Sequence, residues 1–107
     1  MTFLAIDSQK ALFTMQKSQL QLEKSIIVSR ASTITKEMEA YSEAHKDDDD
    51  YQNDSTYKEL ESTEEYYETR QDSIDSQITL MENAISGLKS LVTSNIKSTC
   101  TLNLISG

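Results

Sequence analysis

The stretch FTMQKSQLQLEKSIIVSRASTITKEMEAY, Phe13–Tyr41, decides how this chain folds. Phe13, Leu20, Ile27, Ile34 and Tyr41 stand seven residues apart, and Ile6 extends the row toward the N-terminus. Seven residues are close to two turns of an α-helix, so the row forms one stripe. No Pro interrupts the chain, and its two Gly are Gly87 and Gly107. A long, unbroken helix of about residues 4–46 is the expectation.

A second row lies C-terminal to the first: Leu60, Tyr67, Ile74, Met81 and Leu88, again at intervals of seven, with Ile78, Ile85 and Val92 on the adjoining position. The matching position of the first helix is filled by Lys10, Lys17 and Lys24, whose stems can cover apolar surface while the ammonium groups reach water. Asp47–Asp50, Tyr51, Gln52 and Asn53 separate the rows. Adjacent like charges and poor helix formers make 47–54 the connector. Thr56-Tyr57-Lys58-Glu59 reads as a capping box at the start of a second helix of about 55–98. The brief alternation of Cys100, Leu102 and Leu104 makes 99–107 a short, extended tail.

Folding the chain back at the Asp run pairs Tyr41 with Leu60, Ile34 with Tyr67, Ile27 with Ile74, Leu20 with Met81 and Phe13 with Leu88. Every pair of residue numbers has the same sum, as one antiparallel register requires. The fold class is therefore all-α, a single antiparallel coiled-coil hairpin. Leu12, Met15, Leu22 and Ile26, with Leu4, form a further apolar stripe beside the first-helix seam. Leu80, Ala84, Gly87 and Leu91 do the same on the second helix. One partner helix covers one stripe, so completion by oligomerisation or by a partner helix is expected. Ser and Thr supply about a quarter of the residues and favour helix less than Ala or Leu, so packing must hold these helices.

Charge and chemistry narrow the function. The net charge is −8, and residues 46–75 hold three basic and twelve acidic side chains. Such a surface repels phosphate, which excludes nucleic acid and anionic membranes as partners. The Asp run lacks the Gly turn and the final bidentate Glu of a calcium loop. His45 is the only histidine and Cys100 the only cysteine, so neither a zinc set nor a Cys-His pair can be assembled. Glu64, Glu65, Glu68, Asp72 and Asp75 read as a solvent face. We expect no enzyme activity, no cofactor, no metal and no small-molecule substrate. No apolar run reaches the ~20 residues of a membrane span. Met1–Lys10 lacks the pattern of a cleavable signal, which leaves the cytoplasm or export by a machine that needs no such signal.

The layout, together with the stretch SGLKSLVTSNI (Ser86–Ile96), resembles the hairpin subunits of bacterial secretion filaments, both type III needle proteins and the paired terminal helices of flagellin-like proteins. That resemblance implies a structural subunit whose termini-proximal half packs in the core of an assembly. The alternative is a coiled-coil adaptor or export chaperone that binds one partner helix.

Overall fold

The computed structural model describes residues 2–106, with side chains described through Lys97. Helix α1 spans Phe3–Ala44 and helix α2 spans Ser55–Ser106; a single 3-10 turn, Tyr51–Asn53, lies between them. The two helices form an antiparallel hairpin. Thr2 starts α1: its carbonyl accepts from the Ile6 amide and its hydroxyl from the Ala5 amide, at 3.0 and 3.1 Å. A hydroxyl that satisfies the third free amide is what an N-cap does.

Helix α2 begins at Ser55, where the sequence places it, but its cap is not the one the sequence suggests. Asp54 has extended backbone (φ −65°, ψ 141°), and its carbonyl accepts the Lys58 amide at 3.0 Å. Asp54 is therefore the N-cap residue, and Thr56 lies inside the first turn, where it cannot head a capping box. The C-terminal end differs too. Helix α2 continues to Ser106, so the segment from 99 onward is helical and not an extended tail. An alternation of five residues is too short to outweigh a helix already propagating, and no Pro or Gly stops it before Gly107.

Contacts divide the chain into two compact units. Unit 1 comprises Met1–Leu20 with Gln77–Gly107, and unit 2 comprises Gln21–Ser76. In unit 2 the partly or fully buried positions include 24, 27, 31, 34, 38 and 41 on α1, 45 just beyond its end, and 57, 60, 64, 67, 71 and 74 on α2. In unit 1 they include 6, 10, 13, 17 and 20 on α1, and 78, 81, 85, 88, 92 and 95 on α2. These steps alternate between three and four, the signature of a coiled-coil seam. Ile27 (7% exposed) and Ile74 (0%) are the buried apolar residues of unit 2; Ile6 and Leu88 are those of unit 1. Burying such a side chain contributes about 1.5–3 kcal/mol. A hairpin with so few buried residues has a thin core.

Ion pairs flank the seam in each unit. In unit 1 the Lys17 ammonium lies 3.5 Å from Glu82, and in unit 2 that of Lys24 lies 2.6 Å from Asp75. Each lysine reaches an acid about one turn before a seam isoleucine of α2: Glu82 before Ile85, and Asp75 before Ile78. Exposed pairs of this kind contribute about 0–1 kcal/mol each and serve mainly to place the lysine stems. Arg70 bonds Glu23 through Nε at 3.1 Å and through Nη2, on the opposite side of the seam from Asp75.

The register has a direct check. In a Cys100→Ser background, cysteines replacing Ile27 and Ile74 should form a disulfide under mild oxidation, read on non-reducing gels. Preferential coupling of position 27 to position 81 would show the helices shifted by one heptad.

Candidate functional site: exposed helix faces and the polar tip

Positions follow from the heptad. On α1, Lys10, Lys17 and Lys24 occupy a, and Phe13, Leu20 and Ile27 occupy d. On α2, Ile78, Ile85 and Val92 occupy a, and Met81 and Leu88 occupy d. In an antiparallel pair the g and c positions of both helices share one face, and the e and b positions share the other. Glu23 and Arg70 are both g residues; Asp75 and Glu82 are e residues.

Of the expected seam residues, Ile27, Ile74 and Leu88 are buried, while Phe13, Leu20, Ile34, Tyr41, Leu60, Tyr67 and Met81 are half-buried. The expected interface residues are open. Leu22 is 65% exposed, Leu80 61% and Met15 54%, and Leu12, Ile26 and Leu91 are exposed as well. Ala84 is half-buried; Gly87 is exposed, and a Cβ built there meets nothing within 4 Å.

Their placement on α1 corrects one expectation. At 100° per residue, Met15 and Leu22 point roughly 180° from the seam and Leu4 roughly 130°, none of them beside it. They form the far face of α1. Leu12 and Ile26 lie between that far face and the g side. On α2 the stripe does flank the seam, since Leu80 and Gly87 are at c and Ala84 and Leu91 at g.

The tip of unit 2 is an ordered polar cluster. The Tyr41 hydroxyl donates to Asp54 Oδ2 at 2.6 Å, and the Tyr41 ring stacks on His45 with centroids 4.0 Å apart. Tyr57 meets Tyr51 edge-on at 5.3 Å, and the Tyr51 hydroxyl accepts from Ser42 at 3.0 Å. Asp48 accepts the Asp50 amide at 3.0 Å, and Asp50 accepts from the Asn53 side chain. The acidic run thus builds its own turn, as Asx side chains do, rather than standing only as a charged, solvated loop.

Two tyrosines ionise later than usual. Hydrogen bonding to the Asp54 carboxylate, then burial, raises the pKa of Tyr41; burial, then the nearby Tyr51 and glutamates, raises that of Tyr57. Tyr51 moves down, because Ser42 and Gln52 donate to its oxygen and favour the phenolate.

Among the described residues no three His, Cys, Asp or Glu side chains converge as metal ligands, and no helix is long and apolar enough to cross a membrane. The Cys100 side chain lies outside the described residues. A shallow depression in unit 2 is lined by residues including Thr35, Met38, Ser42, Tyr57 and Glu64, with the Thr35 hydroxyl 3.4 Å from Glu64. Thr35 also donates to the Ala31 carbonyl, so neither group stands poised toward a reacting atom. Comparison with protein families, with characterised proteins and with solved structures finds no match in any of the three. What the chain offers is helix surface.

The tip generates a pH prediction. A tyrosine whose pKa is raised by folding contributes stability fully below its unfolded value of about 10, and that contribution is lost as pH rises through the folded value. The wild-type melting temperature should fall above pH 10. Tyr41→Phe should melt lower than wild type at pH 8, and the gap should narrow toward pH 11. A gap that stays constant across that range would detach Tyr41 from the alkaline loss.

Proposed function

We propose that this chain is a structural subunit that assembles with copies of itself through helix packing, in the manner of hairpin subunits of secretion filaments. One observation carries the reading: large apolar side chains lie open on α1, on the face turned away from its partner helix. Leu4 is 77% exposed, and Met15 and Leu22 repeat the opening seven residues apart. A two-helix hairpin needs one apolar stripe per helix. A further stripe on the far side serves only a helix from outside the hairpin.

Two features support self-assembly over capture of a different protein. The thin core leaves the hairpin short of apolar burial, so helices brought by neighbours supply stabilisation that the fold lacks. The charge is also segregated. Unit 2 carries a net −10 and unit 1 a net +2, so unit 1 meets a copy of itself with little like-charge repulsion. The reading involves no catalytic step and no cofactor.

The test is sedimentation velocity across a wide concentration range. Wild type should grow in mass as concentration rises. Met15→Glu combined with Leu22→Glu should stop that growth while circular dichroism stays unchanged. Burying an unpaired carboxylate costs several kcal/mol, equivalent to a hundredfold or more in affinity. A wild type that stays monomeric alone, yet gains a partner's mass when mixed with one, would replace this reading with that of an adaptor.

A further inference from the structure

The charged residues of unit 1 are distributed unevenly around the hairpin. Among the described residues they are Asp7, Lys10, Lys17, Glu82, Lys89 and Lys97. By heptad position these fall at e, a, a, e, e and f. None occupies c or g on either helix. The c and g face of unit 1 is therefore free of charge from Thr2 to Gln19 on α1 and from Gln77 to Ser94 on α2. The same positions in unit 2 include Glu23, Arg30, Glu37, Glu59 and Arg70, so the property belongs to unit 1 alone.

Three kinds of side chain make up the face. Leu12, Leu80 and Leu91 stand exposed as ridges. Ala84 and Gly87 leave a trough, with open space where a Gly87 Cβ would stand. Glutamines at 9, 16, 19 and 77 edge it, each with an amide that both donates and accepts.

From this arrangement we infer that the c and g face of unit 1 is an isologous contact, occupied by the same face of a second copy of this chain. The inference rests on the self-assembly reading and specifies where its first contact forms. A charged partner surface, whether acidic or basic, finds no counterion here and loses its hydration without return. The fitting partner is uncharged, and the chain itself presents such a surface. Two-fold rotation sets ridge against trough and amide against amide, since a glutamine amide complements another glutamine amide. The size is sufficient. About twenty residues of each helix, at 1.5 Å per residue and about 10 Å per helix width, give a patch of roughly 600 Å² per copy. Doubled, that reaches the lower end of specific protein interfaces, about 1,200 Å². A two-fold contact closes at a dimer, and the far face of α1 is a second surface through which dimers join.

Gly87→Lys in the full chain tests this with little risk to the fold. Lysine favours helix over glycine, and the added side chain meets no neighbour in the hairpin. It also makes the net charge less negative than −8, so overall repulsion cannot explain a loss of association. Ser86→Lys adds the same charge at b, on the opposite face. Gly87→Lys should weaken association at least tenfold by sedimentation, with helicity equal or higher, and Ser86→Lys should match wild type. Wild type that associates equally well with lysine at 87, or is weakened equally at both positions, would overturn the assigned face and leave self-assembly standing. Wild type that is monomeric throughout would overturn both.

Discussion

Everything in this molecule depends on one narrow seam. Each helix presents one row of large apolar residues to the other, and on α1 the adjoining row in unit 1 begins with lysines. Lys10 and Lys17 can cover the seam with their stems but cannot deepen it. Only Ile6, Ile27, Ile74 and Leu88 are buried among the described hydrophobic residues. A helix pair so built has secondary structure in excess of its core, and many of its large apolar side chains are exposed.

That constraint accounts for the different characters of the two units. In unit 2 the seam takes in Gln71 and Glu64, and order comes from polar contacts: Tyr41 with Asp54, Arg70 with Glu23, Lys24 with Asp75. Those contacts need water around them and are compatible with the acidic surface. In unit 1 the seam takes in Ile78, Ile85 and Val92 instead, and the outer faces carry Leu4, Leu12, Met15, Leu80 and Leu91. Charge is absent from one whole side. Unit 2 is strongly acidic and polar at its surface, and unit 1 is nearly neutral with exposed apolar faces.

Much of the fold was legible because helix periodicity leaves a mark in sequence that short turns do not. The seven-residue rows located both helices, their opposed direction and the connector. The start of α2 falls at Ser55 as expected, but its cap was misassigned: Thr56 and Glu59 match a capping box, while Asp54, already engaged by Tyr41, is the residue at the cap. The end of α2 was misplaced because five alternating residues were weighed as strand, although nothing before Gly107 halts a helix. The far-side position of Leu4, Met15 and Leu22 was available from residue spacing, yet it becomes plain only once the seam centre is set by burial on both of its rows. The turn formed by Asp48, Asp50 and Asn53 was not legible, because a run of acids looks the same whether its carboxylates face water or bind backbone amides.

If neighbouring helices add cover to the thin core, association stabilises the folded hairpin, and its stability depends on concentration by mass action. The decisive measurement is the melting temperature by circular dichroism over a thousandfold range of protein concentration. It should rise steadily with concentration. A melting temperature independent of concentration, with full helicity retained at the most dilute end, would mean the hairpin suffices alone, and the exposed faces would have no part in holding it together.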